Sequence, residues 1–167
     1  GAKTPNSPLG NFLADAMRAA ATDATGTRVD FAFQANGNLR DDVEPIRDGP
    51  RAGDIVLYDL ASAIGMGSAR DGTPGYPLIA VWLTGEEVHR VLELSVLLSE
   101  VLGGSYFLQV SGLRARYDPG RAAWFRIPFS GIPITSGRAV LSVERDSSGT
   151  WIPLERGDPR LYHVVTD

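Results

Sequence analysis

The chain has 167 residues, of which 43% are hydrophobic and 22% charged, as expected for one globular domain. Sixteen basic residues against twenty acidic ones give a net charge of -4, which argues against a nucleic-acid-binding surface. The chain has no cysteine, so disulfides, thiolate nucleophiles and cysteine metal ligands are excluded. No apolar run approaches the roughly 20 residues needed to cross a bilayer, so no membrane span is expected.

The first predicted element is an amphipathic helix. Ser7 can cap it, and Pro8 suits the first helical position, where a missing N–H is harmless. Apolar residues then recur at helical spacing through about residue 22, and the helix is expected to end before Gly26. Alternating apolar residues over 28–34 predict a strand, and the residues 36–38 (Asn-Gly-Asn) predict a polar turn after it.

A charged connection rich in proline and glycine follows this turn. It leads to Asp54, which we expect to cap a short helix ending near Ala63. Glycine and proline are frequent over residues 65–77, so this segment is predicted to be a loop.

The second half of the chain begins with a run over residues 76–83 that predicts a buried strand. Thr84 and Glu87 then form a capping-box pattern, so a long helix is expected from there to about Leu102. Further strands, separated by turns at residues 118–120 and 147–149, are predicted over residues 106–117, 124–129, 138–145 and 161–165. Helices early and strands late predict an α+β domain.

The residues that could carry chemistry are few. The two histidines have no ligand motif around them: His89 is predicted to lie on a solvated helix face, and His163 is predicted to be a strand residue. The sequence contains neither a G-x-S-x-G elbow nor a G-K-[ST] phosphate loop. Adjacent carboxylates such as Asp41 and Asp42 are expected to be solvated charges. No catalytic residue and no metal ligand is therefore predicted in this chain.

Four segments nevertheless resemble, in order, landmarks of one family, the C-terminal domain of the 5′-nucleotidase and UDP-sugar hydrolase family. The first, SPLGNFLADAMR, resembles an opening helix S-x-L-G-N-L-x-A-D-A-x-R. The second, DFAFQANGNLR, resembles D-x-A-x-x-N-G-G-G-I-R after a strand. The other two are GDIV joined to LIAVWLTGEE, and FLQVSGLRARYD, which is similar to F-L-Q-V-S-G-L-x-x-x-Y-D. They occupy residues 7–18, 30–40, 53–56 with 78–87, and 107–118.

This resemblance implies a single α+β domain whose mixed, largely antiparallel bent sheet packs with a few helices. It also implies a parent protein that hydrolyses phosphoric monoesters. There, an N-terminal metallophosphoesterase domain in the same polypeptide carries two divalent metal ions, and the C-terminal domain binds a nucleoside or nucleotide. Residues 1–167 are then expected to be a substrate-binding domain excised from a longer periplasmic or extracellular protein. The expected cut precedes a C-terminal motif that supplies the second wall of the pocket. Because the catalytic domain is not part of residues 1–167, the isolated domain is expected to be inactive.

The same resemblance points to three binding residues. Arg40 matches an arginine that contacts substrate, and its fork of donors suits hydroxyl or phosphate oxygens. The alternative for Arg40 is a surface arginine that pairs with Asp41 or Asp42. Ala35 occupies the place of a substrate-contacting asparagine, so Asn36 would take that role only after a local shift. Met66 stands where the family has a phenylalanine that forms one wall of a base-stacking slot; it can pack against a ring but offers no aromatic face.

These departures leave a second interpretation open. A family domain that has lost its pocket residues would be a noncatalytic scaffold or interaction module, and an altered pocket could also recognise a different phosphoester. The residues alone do not separate these alternatives from nucleotide recognition.

Overall fold

The computed structural model describes residues 6–64, 72, 77–126, 133–135 and 137–167. The helices in these ranges are α1 (Pro8–Thr25), α2 (Leu57–Ile64) and α3 (Gly85–Leu102). The strands are β1 (Phe31–Ala35), β2 (Ile79–Thr84), β3 (Leu108–Ser111), β4 (Leu113–Tyr117), β5 (Ala123–Arg126), β6 (Pro133–Thr135), β7 (Val140–Ser147), β8 (Thr150–Pro153) and β9 (Leu161–Thr166). No helix in the described ranges is long and apolar enough to cross a membrane.

Both long helices begin at the predicted caps. The Ser7 side chain accepts a hydrogen bond from the Gly10 backbone N–H, and α1 ends at Thr25, directly before Gly26 as predicted. At α3, the Thr84 and Glu87 side chains each accept from the other's backbone N–H, which confirms the capping box.

A four-stranded sheet in the order β2-β9-β1-β3 lies between these helices. Only β1 and β9 are parallel, and the other two pairings are antiparallel, so the sheet is mixed as expected. One face packs against α1 through Ala32 and Val165, with Met17 beside them. The opposite face carries Phe31 and Val164 toward α3, where the main core lies.

A second sheet, antiparallel and in the order β4-β7-β8, closes the other side of this core, while β5 and β6 form a separate pair.

The sequence predicts one continuous strand over residues 106–117, and this is wrong. The chain turns at Gly112, which has a φ of 76°, so β3 and β4 belong to different sheets. Strands β6 and β8 are not predicted from the sequence, and residues 127–129 of the predicted strand 124–129 lie outside the described residues.

Two further expectations are corrected in the middle of the chain. Asp54 does not cap α2, because the helix starts three residues later and the Asp54 carboxylate pairs with Arg51 at 2.9 Å. Strand β2 is not buried: it is the outermost strand of the four-stranded sheet, and Ile79 and Trp82 are each 56% exposed. Apart from Gly72 and Pro77, the predicted loop over residues 65–77 lies outside the described residues.

The prediction of a solvated His89 is also wrong. Its side chain is 4% exposed, and its Nε2 lies 2.7 Å from the Leu154 carbonyl oxygen, so Nε2 carries the proton. His89 sits on the inner face of α3 near Val88, Leu92 and Glu93, which are all buried. His163, in contrast, is a strand residue of β9 as predicted, and its ring stacks on Trp82.

His89 makes the stability of the fold depend on pH. Burial lowers the pKa of His89 below its ordinary value of 6.5, although the hydrogen bond to Leu154 opposes that shift. Below pH 6.5 the unfolded chain binds a proton more readily than the folded one, so the free energy of unfolding falls as the pH drops toward the folded pKa. Between these two pKa values, His89 lowers the free energy of unfolding by up to about 1.4 kcal/mol for each pH unit of acidification. We expect His89→Gln, which keeps a hydrogen-bond donor but does not titrate, to remove this pH dependence. Urea unfolding of both proteins between about pH 5 and 8 measures the difference, and identical pH profiles would contradict it.

Candidate functional site

A cleft of about 410 Å³ lies where the N-terminus of α1 meets the turn after β1. Its walls come from three segments that are distant in sequence. They are residues 6–9 at the start of α1, Asn36 with residues 39–42 after β1, and residues 104–105 after α3. Two of the predicted binding residues, Asn36 and Arg40, therefore line one cleft.

Arg40 is exposed at this cleft while its backbone is fixed. Its N–H donates to the Ala63 carbonyl at 2.9 Å, which ties the loop after β1 to the end of α2. Asp41 and Asp42 follow it along the same wall, and the Asp41 carboxylate accepts the Asp42 backbone N–H. The cleft thus holds a guanidinium donor beside carboxylate acceptors. The sequence predicts Asp41 and Asp42 as solvated charges, and both are indeed exposed. Their position beside a cleft is not predicted from the sequence.

Asn36 supports the floor of the cleft through a chain of amide contacts. Its side-chain N–H donates to the Gly104 carbonyl at 3.2 Å, and its carbonyl accepts from Gln109 Nε2 at 2.7 Å. The Gln109 carbonyl in turn accepts the Ser7 backbone N–H at 3.1 Å. Gln109 is buried, so these bonds replace water around a polar group inside the fold. They join the start of α1, the turn after β1 and strand β3.

Two of the segments that carry the family resemblance contact each other here. A methyl group on Gly10 would collide with the Gln109 side chain, so α1 can approach β3 this closely only with glycine at that position. Further along α1, Ser111 donates to the Asp15 carboxylate, and Arg18 Nε donates to the Val29 carbonyl at 3.1 Å. The motif residues of α1 and β3 therefore hold the helix on the sheet and fix the cleft at its end.

The other predicted positions are arranged differently. Ala35 is the last residue of β1, directly before the turn. Asn38 does not line the cleft, and its side-chain amide donates to the Asp167 carboxylate at 2.8 Å, as does that of Gln34. Met66 lies outside the described residues.

Acidic and histidine side chains do not converge elsewhere in the described ranges: none of them forms a group of three that could hold a metal ion. What the cleft offers is hydrogen bonding, with Arg40 as donor and Asp41 and Asp42 as acceptors. This donor and acceptor set suits a small polar molecule with hydroxyl or phosphate oxygens.

Comparison with known proteins finds a curated relative and several solved structures of similar fold. The chain is 32% identical over 112 residues to the trifunctional nucleotide phosphoesterase protein YfkN of Bacillus subtilis, a match that spans 66% of this chain and 6% of that protein. It is similar in fold to a 5′-nucleotidase precursor from Thermus thermophilus, with a TM-score of 0.61 and 24% identity, over 96% of this chain and 25% of that one. It is also similar to the Haemophilus influenzae NAD nucleotidase, with a TM-score of 0.55 and 21% identity, over 90% of this chain and 22% of that one.

The chain therefore spans about a quarter or less of the length of these relatives. A family model described as "5′-nucleotidase, C-terminal domain" matches residues 2–167, nearly the whole sequence. Both expectations from the sequence, the family and the α+β fold with its mixed sheet, are confirmed. The chain belongs to the family of 5′-nucleotidase C-terminal domains.

Proposed function

We propose that this domain recognises the nucleoside part of a nucleotide for a 5′-nucleotidase-like phosphohydrolase and that the cleft beside Arg40 is the binding site. The observation that carries the proposal is the meeting of Asn36 and Arg40 in one cleft of about 410 Å³, in a chain of this family. The cleft volume lies within the range of small-molecule sites.

Each wall of the cleft has a chemical role in this proposal. The Arg40 guanidinium donates two parallel hydrogen bonds to ribose or phosphate oxygens, which a lysine could not do. Asp41 or Asp42 accepts from ribose hydroxyl groups, as expected for a neutral sugar and not for a bare anion. Asn36 forms part of the wall and holds the turn that presents Arg40, through its bonds to Gly104 and Gln109.

Met66 is the third residue of the proposed site. It follows α2 within two residues, and the Arg40 backbone bonds to Ala63 near the end of that helix. Met66 lies outside the described residues, and its proposed role rests on its position in the sequence: a thioether can pack against the face of a base, although with less selectivity than an aromatic ring.

Hydrolysis itself belongs, in this proposal, to a metallophosphoesterase domain elsewhere in the same polypeptide. Two divalent metal ions there would activate water and neutralise the phosphate charge, while the nucleoside bound at Arg40 would position that phosphate. We propose export to the periplasm or the cell surface, in keeping with the relative described as a precursor.

Isothermal titration of the chain with adenosine, uridine and their 5′-monophosphates tests the binding site. We expect heat of binding with the wild type and about tenfold or greater weakening in Arg40→Ala, because the bidentate donor is lost. Arg47→Ala is the matched control, since Arg47 is an exposed arginine that pairs with Glu44 and does not line the cleft. Binding of inorganic phosphate alone at equal strength would indicate simple charge attraction and would contradict nucleoside recognition.

The alternative, a noncatalytic interaction module, makes the opposite prediction for this titration. No heat with any of the four compounds, in a protein whose melting shows that it is folded, would favour it. Its structural support is the exposed apolar strand β2.

A further inference from the structure

Strand β2 exposes an apolar surface that the recognition cleft does not use. In the described part of the chain, β2 pairs with β9 on one side and has no strand on its other side. Ile79 and Trp82 are each 56% exposed, and Leu78 and Val81 are also exposed. Residues 78–84, Leu-Ile-Ala-Val-Trp-Leu-Thr, contain no charge and no proline, the features that usually protect an edge strand from pairing.

The side chains of β2 alternate between the two faces of the sheet. Val81 and Leu83 lie opposite Val164 and Tyr162, so they point to the α3 side. Ala80 and Trp82 lie opposite Val165 and His163, so they point to the α1 side. Neither helix covers the outer strand fully, and Leu161 adds a further exposed side chain next to it.

We propose that β2 pairs antiparallel with β2 of a second copy of this chain, about a two-fold axis that passes beside Val81. In an antiparallel pair, residues that lie opposite each other have their side chains on the same face of the sheet. A two-fold axis between identical strands therefore passes beside one residue, which lies opposite the same residue of the second copy. With Val81 on the axis, the large Trp82 of each copy lies opposite the small Ala80 of the other copy. Ile79 lies opposite Leu83 on the other face. The strand is therefore complementary to itself in size as well as in backbone hydrogen bonding.

The exposed area and the charge both suit a second copy. Leu78, Ile79, Val81, Trp82 and Leu161 form one exposed apolar patch on and beside β2. Apolar patches of about 300–600 Å² often mark interaction sites on soluble domains. Two such patches approach the roughly 1,000 Å² that a specific interface needs. The first charges after the strand, Glu86 and Glu87, lie on α3 beyond its end, so no like charges face each other across the pair. The resulting dimer has one continuous eight-stranded sheet.

Cysteine cross-linking tests this register directly, because the chain contains no cysteine of its own. In Val81→Cys the two thiols lie across the axis at a Cα separation of about 4.5–5.5 Å, which a disulfide can bridge. In Ile79→Cys they are separated by four residues along the strands, about 13 Å, and cannot be joined. We expect mild oxidation to give a covalent dimer with the first variant and none with the second. Equal cross-linking of both variants would overturn the proposed register.

Sedimentation of the uncross-linked chain tests the dimer itself. We expect the wild type to pass from monomer to dimer between micromolar and millimolar concentration. Val81→Lys is expected to remain a monomer because two ammonium groups would face each other. Leu141→Lys is the control, since Leu141 is also an exposed apolar strand residue but lies on β7, and its substitution should leave the dimer intact. Circular dichroism melting confirms that each variant is folded. A wild type that stays monomeric throughout would overturn the proposal.

Discussion

Replacing Glu93 by glutamine is expected to lower the free energy of unfolding by about 3 kcal/mol. Glu93 lies on α3 and is 2% exposed, yet its carboxylate is fully engaged. One oxygen accepts the Ala139 N–H at 3.0 Å, and the other accepts the Val140 N–H at 3.0 Å and Arg156 Nη2 at 2.6 Å. These bonds attach α3 to the start of β7.

The physical reason for so large an effect is that every partner of Glu93 is a donor. A glutamine of the same shape must turn its NH₂ group toward one of them, which leaves a buried donor facing a donor. Arg156 is 45% exposed, so solvent weakens its attraction, and most of the loss comes from the two backbone N–H groups.

Chemical unfolding with urea measures this effect, and Glu144→Gln provides the matched control. Glu144 also pairs with an arginine, Arg114, at 2.7 Å, but its side chain is 37% exposed and that of Arg114 is 56% exposed, so solvent reaches both partners. Its substitution is expected to change the free energy of unfolding by less than about 1 kcal/mol. Equal effects of the two substitutions would show that the buried carboxylate does not hold β7 to α3.

Gly112→Ala is expected to destabilise the fold by about 3 kcal/mol or more, as large as the loss at Glu93. Gly112 has a φ of 76°, in the left-handed region that favours glycine. A methyl group there would also collide with the Asp30 carbonyl oxygen and crowd the Arg18 guanidinium. The Gly112 carbonyl accepts the Asp146 N–H at 2.8 Å, so the turn cannot move without loss of this contact between the sheets.

Gly26→Ala separates the two contributions to that loss. Gly26 ends α1 with a φ of 64°, but a methyl group there would meet nothing within 4 Å. It should therefore show backbone strain alone, about 1 kcal/mol. Thermal and urea unfolding of both variants give the comparison, and a Gly112→Ala protein no less stable than Gly26→Ala would contradict the close approach of β3 to Asp30.

Elements whose ends are fixed by local chemistry are predictable from this sequence. The caps at Ser7 and Thr84 determine where α1 and α3 begin, because a side chain satisfies free N–H groups within three residues. The division at Gly112 is not predictable in the same way. Apolar residues alternate on both sides of it, and what forces the turn is the contact of Gly112 with Asp30 and Arg18, far away in sequence.

The errors at β2 and His89 have a similar origin. A short apolar run fits a buried strand and an edge strand equally well, and only the position of β2 outside β9 decides between them. His89 follows two glutamates, which suggests a polar helix face. It is buried because the chain before β9 returns across α3 and offers the Leu154 carbonyl.

For the candidate site, the family motifs predict more than residue chemistry does. They single out Asn36 and Arg40, which the structure brings to one cleft, whereas the acidic pair Asp41 and Asp42 appears in sequence only as surface charge. No sequence pattern indicates that Gln109 joins the start of α1 to the turn at Asn36, because those three positions are distant along the chain.

The binding of a nucleotide at the Arg40 cleft is tested most directly by mapping it on the backbone amides of the isotope-labelled chain. Titration with adenosine 5′-monophosphate is predicted to shift the amide resonances of the residues that line the cleft, which are 6, 7, 9, 36, 39–42 and 104–105. The same titration should leave Arg40→Ala almost unchanged. Shifts confined to another surface, or shifts of equal size in Arg40→Ala, would contradict the account.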